Sequence, residues 1–327
     1  MDLHDRRALK AAARDSLAAA PYDPRKLILI HTGITIAVSL LGTVINFILA
    51  KQIETTGGLG GLGLRSVLST AQSVLQMLVA IVIPFWEAGY CYATMGIARN
   101  KRTTPDALLQ GFRQFRPLLR LKLMLGVIYI LIGILCMLLS YYIFMLTPLS
   151  DPLFAIIENT HLDTTMLQTE ILLDDAIINA LTRAYIPMMV IWLVLYGAIG
   201  ILFSYRFRMA TFLILDHPEM RAMETLRMSS YQLRGNMTAL FKLDLSNLWF
   251  YVLSVLATAL AYGDYLLASL GVTLVSGEAD YFIFLILSLA FQGCLFIWAR
   301  NRVEVTYAKF YCHTALSFPN QSNEAPC

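Results

Sequence analysis

Glu87, in IPFWEAGYCY, is the one acid clearly inside a long apolar run. Four arginines sit in or at the ends of two other such runs: Arg206 and Arg208 in ILFSYRFRMATFLILD, and Arg300 and Arg302 in IWARNRVEV. A carboxylate in hydrocarbon must be protonated or find a cation, and an arginine there costs from ~3 to more than ~10 kcal/mol. The chemistry open to such a set is electrostatic. It is either a structural ion pair that fixes helix packing, or a polar cavity near the inner leaflet that takes an anionic headgroup or ion. The residues predict Glu87 facing the bundle interior near one of Arg206, Arg208, Arg300 or Arg302.

Other chemistry finds little to stand on. Gly58-x-Gly60-x-x-Gly63 matches the dinucleotide fingerprint formally, but that motif needs a strand before it and an acid about 20 residues on. Here it joins two apolar runs and reads as a flexible loop. Glu158-Asn-Thr-His161-Leu-Asp163 offers metal-ligand types without the partners of a four-ligand site. His217 reads as part of a helix start and His31 as the inner end of a span. The five cysteines, Cys91, Cys136, Cys294, Cys312 and Cys327, include no CxxC pair and suggest neither a disulfide framework nor a zinc knuckle. No Ser/His/Asp or Cys/His set can be argued, so no catalytic residue, cofactor or metal is expected.

The elements that must position these residues are set by composition. The chain is 57% hydrophobic and 14% charged, with a mean hydropathy of +0.63. Soluble domains carry about 25% charged residues; this chain needs lipid as solvent. The start, MDLHDRRALKAAARDSLAAA, has no early apolar core and reads as uncleaved, with the first long apolar run as a signal-anchor. Six stretches approach the roughly 20 apolar residues of a span: about 27–50, 71–97, 118–147, 184–207, 245–267 and 280–300. The fold class is therefore all-α, a polytopic bundle of six transmembrane helices with amphipathic cytoplasmic surface helices. Residues 1–316 form one membrane domain, and 317–327 a disordered tail.

Charge sorts cleanly across these spans. Of the 25 lysines and arginines, all but Lys51, Arg65 and Arg183 fall on one side, while the 148–183 connection is acidic. The positive-inside rule places both termini in the cytoplasm of a multi-pass plasma-membrane protein. A span starting at Ala184 puts Arg206 about 33 Å along, one hydrocarbon thickness, where it can snorkel to the headgroups. Residues 206 and 208 point about 200° apart on a helix, so snorkelling does not account for both. Met209 to Leu215 must then continue as helix below the membrane, covered by protein.

The inner connections carry a repeated pattern. Pro105 follows Tyr92, and Pro218 follows Tyr205, at the same distance. Thr103-x-x-Asp106 and Asp216-x-x-Glu219 both read as helix starts with a capping side chain and an acid in the first turn. Leu108, Phe112 and Phe115 fall on one face of the first amphipathic helix, and Ala222, Leu226, Ser230 and Leu233 on one face of the second. Leu9, Ala13 and Leu17 supply a third copy near the N-terminus. Basic amphipathic helices of this kind lie in the anionic headgroup layer, or offer a docking surface to a cytoplasmic partner. Small residues at Ser254/Thr258 and Ala257/Ala261 read as ordinary helix packing.

The stretch MATFLILDHPEMRAMETLRMSSYQLRGNMTALFKLDLSNLWFYVLSVL, with Asp216, Pro218, Ser229, Gly235, Phe241, Leu243 and Trp249, resembles the bacterial integral membrane family known as domain of unknown function 975. The ending TYAKFY, with Tyr307 and Tyr311, fits it too. The resemblance implies a membrane fold and brings no activity and no catalytic residues. Three functions compete on the sequence. The first is a non-enzymatic scaffold or accessory subunit of a membrane complex. The second is a transporter or channel for a small or anionic solute, using the Glu87–arginine cluster. The third is a lipid-active enzyme. The expected partners are the bilayer and its anionic headgroups at the cytoplasmic face, and a membrane protein; nucleic acid is not among them.

Overall fold

The computed structural model describes residues 5–55, 61–148, 151, 175–263 and 279–315, and its regular structure among those residues is helical. The sequence expectations for Gly58 and Gly60, for Glu158, His161 and Asp163, and for the tail 317–327 lie outside them. Gly63 falls within a helix that begins at Gly61, so that end of the expected loop is helical. Two compact units are present, Met1–Leu119 with Met209–Cys327, and Arg120–Arg208.

In the first unit, α1 (Arg6–Ala18) starts where Asp5 Oδ1 accepts from the backbone N–H groups of Arg7 and Ala8 at 2.9 and 3.3 Å, an N-cap that satisfies two orphan donors. The long α2 (Pro24–Thr55) begins on a proline, which has no N–H to lose. α3 (Gly61–Ala98) ends in a Schellman turn. Lys101 N–H bonds Gly96 O at 2.9 Å and Asn100 N–H bonds Ile97 O at 3.0 Å, with Asn100 at φ 53°. A 3₁₀ turn (Pro105–Leu109) and the short α4 (Gln110–Arg113) follow, and α5 (Phe115–Leu146) leads out into the second unit.

The second unit also holds α6 (Asp175–Phe207). Within it, Trp192 Nε1 donates to Gly133 O at 3.2 Å and its ring stacks on Tyr196 at 5.3 Å. Gly133 lies beside the Tyr196 ring, where a Cβ would stand at an ordinary contact distance of 3.6 Å. Outward-facing Leu131, Leu138 and Val194 are all at least 60% exposed, as the lipid side of a span requires.

The first unit resumes with α7 (Ala210–Asp216), α8 (Ala222–Gln232), α9 (Met237–Ser246) and α10 (Leu248–Leu260), then α11 (Ala279–Leu295), a π turn (Phe296–Arg300) and α12 (Asn301–Ala315). Among the described residues, five stretches are long and apolar enough to cross a membrane: Pro24–Gln52, Ser66–Ala98, Phe115–Leu146, Tyr185–Asp216 and Tyr281–Ala315. A sixth exists if α9 and α10 form one span. The expected fifth span, 245–267, starts beside a bend: α9 and α10 meet at 57° around Asn247. α10 and α11 pack closely at Ala257, whose carbonyl accepts from Ser288 Oγ at 2.6 Å.

The buried core of the first unit sits at the basic ends of its spans. α12 is the centre of that layer, with Val305, Ala308, Phe310 and Tyr311 at 0% exposure, packed against α1, α2 and α3. Burying each large side chain contributes roughly 1.5–3 kcal/mol. As the sequence requires, Met209 to Leu215 are helical from Ala210 onward and covered, all buried except Thr211. Leu9 and Ala13 of α1 are buried against protein. Of the expected apolar faces, Leu108 is buried, but Phe112 and Phe115 are 37% and 41% exposed and stack around Phe85 instead. In α8 the buried face is Thr225, Leu226, Ser229 and Gln232, so Ser230 is displaced from it.

Two glycines dictate how the turn after α3 docks. A Cβ on Gly89 would stand 1.8 Å from Leu108 O, and one on Gly111 would stand 1.9 Å from Phe85 O. The backbones of α3 and the 105–113 segment are therefore in direct contact, which only glycine permits.

Candidate functional site

Three carboxylates in the first unit are each held by a side chain from one helical stripe. Arg300, Tyr307 and Tyr311 follow one another at seven and four residues, which keeps them near one face. Arg300 donates to Glu87 of α3, Tyr307 to Asp244 of α9, and Tyr311 to Asp216 of α7 at 3.0 Å. The last helix thus clamps three other elements through polar groups that none of them could bury alone.

Glu87 and Arg300 are the members of the expected cluster that meet. The Arg300 side chain is 9% exposed, and its guanidinium lies 4.9 Å from the Tyr90 ring and 4.6 Å from the Phe296 ring, a cation–π arrangement that supports the charge as water is lost. Tyr90 donates to Asn301 Oδ1 at 2.5 Å, and Asn301 Nδ2 donates to Pro24 O at 2.8 Å, tying in the start of α2. His31, fully buried, stacks on Trp86 at 5.4 Å and on Tyr90 at 4.5 Å. Its Nε2 is 3.8 Å from Glu87 Oε1, beyond hydrogen-bond range. Trp86 Nε1 bonds the His31 carbonyl at 3.3 Å and Thr35 Oγ1 at 3.1 Å.

The other three arginines are elsewhere. Arg206 is in the last turn of α6 and Arg208 lies in the break between α6 and α7, both in the second unit. At that break the Arg208 N–H bonds the Tyr205 carbonyl at 3.4 Å. Arg302 is exposed and lies 6.0 Å from the Trp298 ring.

Asp216 overturns its sequence reading. It is the last residue of α7, not the cap of the next helix, and α8 begins only at Ala222 with Arg221 before it. His217 likewise closes α7. The Asp216 carboxylate takes two bonds from Arg99, at 2.6 and 2.5 Å, a bidentate, charge-assisted geometry. Thr103 does not cap either: its hydroxyl donates to Lys101 O at 3.1 Å, and the 3₁₀ turn starts after Thr104 without a side-chain cap. A short polar side chain before a proline has partners other than the next helix's N–H groups: Asp216 takes a distant cation, and Thr103 a carbonyl two residues back. Asp244, which the sequence reading passed over, is the one acid in the stretch MTALFKLDLS.

Two cavities border this layer. One, about 520 Å³, is lined by Arg99, Lys101, Arg102 and Arg113 together with Asp106 and Asp216. The other, about 140 Å³, lies between α1, the α9–α10 bend and α12. Among the described residues no group of three or more His, Cys, Asp or Glu is placed to hold a metal.

Neither the curated proteins nor the solved structures include a match to the chain. The model of one family, described as a protein of unknown function (DUF975), matches residues 1–314. With nearly the whole chain matched, the protein belongs to the DUF975 family.

Proposed function

We propose that the chain is a non-enzymatic scaffold or accessory subunit of a membrane complex, seated in the plasma membrane with both termini in the cytoplasm. One observation carries the reading: the acids inside the apolar helices are bonded to side chains of another helix, so they join helices rather than wait for substrate. Glu87, Asp216 and Asp244 all meet the stripe of Arg300, Tyr307 and Tyr311. The orientation is supported by the way the basic segments at residues 5–26, 98–114, 209–247 and 300–315 pack into one layer, as segments on one side of a bilayer can. A rigid basic layer next to lipid suits anionic headgroups or a partner with an acidic face.

Affinity purification of the full chain in mild detergent, with mass spectrometry of what accompanies it, tests the reading. The expected result is one partner protein at a fixed stoichiometry, retained when Glu87 is replaced by Gln in a folded variant. A chain that purifies alone and moves a solute in proteoliposomes would sink it. Such an outcome would favour transport of an anionic solute, for which the support is the 520 Å³ cavity with its four cations.

A further inference from the structure

The smaller cavity has walls of one electrical sign. Lys10 and Arg14 enter it from α1, Arg302 from α12 and Asn247 from the α9–α10 bend, and no carboxylate lines it. Arg14 and Arg302 make no ion pair among the described residues. Lys10 Nζ donates to Ser246 O at 3.1 Å and to Ser246 Oγ at 2.6 Å, and an ammonium has one further donor. Asn247 is 2% exposed, and its Nδ2 has no acceptor among the described residues. A buried amide without an acceptor is unfavourable, and here it stands among cations that also donate.

The aromatic surroundings fix the level of the cavity relative to lipid. Trp249 lines it and packs edge-on against Trp298 at 5.4 Å, over which the Arg302 guanidinium lies. Paired tryptophans with cations are the composition of a membrane interface, at the depth of the lipid phosphates. The 57° bend at Asn247 opens the space, since a straight helix would carry Trp249 along the α9 axis.

We propose that this cavity binds a phosphate-type oxyanion, held by Arg14 and Arg302 and by the Asn247 amide, with Lys10 completing the donor set. The inference goes beyond the scaffold reading and stands on different residues. Burial first, then Arg6 and Arg14, hold the Lys10 ammonium below its ordinary pKa; an anion in the cavity offsets the two repulsions. The oxyanion has two sources, an anionic phospholipid headgroup or free phosphate.

Native mass spectrometry of the full chain in detergent, titrated with phosphatidylglycerol or phosphatidylcholine, tests the site, with thermal protection by inorganic phosphate as the second arm. The expected result is one tightly held phosphatidylglycerol, preferred over phosphatidylcholine by about tenfold or more. Arg302→Gln and Arg14→Gln, both at exposed positions that leave the fold intact, each weaken it about tenfold. Arg302→Lys retains most of the affinity, and Arg234→Gln, outside the cavity, changes nothing. Protection by inorganic phosphate with the same sensitivity to Arg302→Gln would assign the site to free phosphate and sustain the proposal. Equal binding of the two lipids with no effect of phosphate, or binding indifferent to both arginine variants, overturns it.

Discussion

Arg99 closes on Asp216 through two N–H···O bonds of 2.6 and 2.5 Å, joining the end of α3 to the end of α7 across 117 residues of chain. Both side chains are mostly buried, at 16% and 12% exposure, and Tyr311 adds a third bond to the same carboxylate. Removing one partner strands the other. Asp216→Asn is expected to lower stability by about 3 kcal/mol, read as the thermal midpoint in detergent. A double-mutant cycle with Arg99→Gln should give a coupling of about 1–3 kcal/mol; additivity would refute the pairing.

The glycine contacts at the turn after α3 allow a sharper contrast. Gly111→Ala places a methyl group 1.9 Å from Phe85 O, where only backbone movement relieves the overlap. It should cost about 3 kcal/mol or more. Gly197→Ala meets nothing within 4 Å and should stay within about 0.5 kcal/mol of the parent, or stabilise the helix slightly. Fluorescence-detected size exclusion after heating separates the two.

Arg300 and Arg302 are two residues apart and should behave oppositely. Arg300→Gln leaves Glu87 without its cation and the Tyr90 and Phe296 rings without theirs, and should destabilise by about 3 kcal/mol. Arg302→Gln alters an exposed side chain and should remain within about 0.5 kcal/mol. Equal melting of the two variants would argue against a structural role for the Glu87 pair.

The orientation is checked with reporters. Alkaline phosphatase fused to either end should be inactive and a fluorescent protein bright, whereas phosphatase inserted in the 148–183 connection should be active. Activity at either terminus would reverse the membrane assignment.

What could be read from the sequence follows from what each force leaves in the composition. Lipid demands long apolar runs, so the existence of α2, α3, α5 and α6 was legible, while α3 and α6 begin about ten residues before the apolar runs do. The Glu87–arginine association was legible because an acid in an apolar run needs a cation, but the choice of Arg300 over Arg206 depends on packing that spacing does not encode. Asp216 misled because D-x-P is also the signature of a helix cap. The bend at Asn247 carries neither proline nor glycine, and the Gly89 and Gly111 contacts are between backbones, which leave no compositional trace. The meeting of Asn247 with Lys10 was not legible for a related reason: their cavity exists only once α1 has packed beside the last helix.

The π turn at Phe296–Arg300 changes the angular bookkeeping of the chain's final rod. Widening one turn by a residue rotates everything after it by about 100°, so the stripe that greets acyl chains and the stripe that grips acids are set in independent phases. Excising a single residue there, Ile297 for instance, would swing Tyr307 and Tyr311 out of reach of Asp244 and Asp216 together. Two tethers 28 residues apart in sequence would fail as one, because a single misaligned screw serves both.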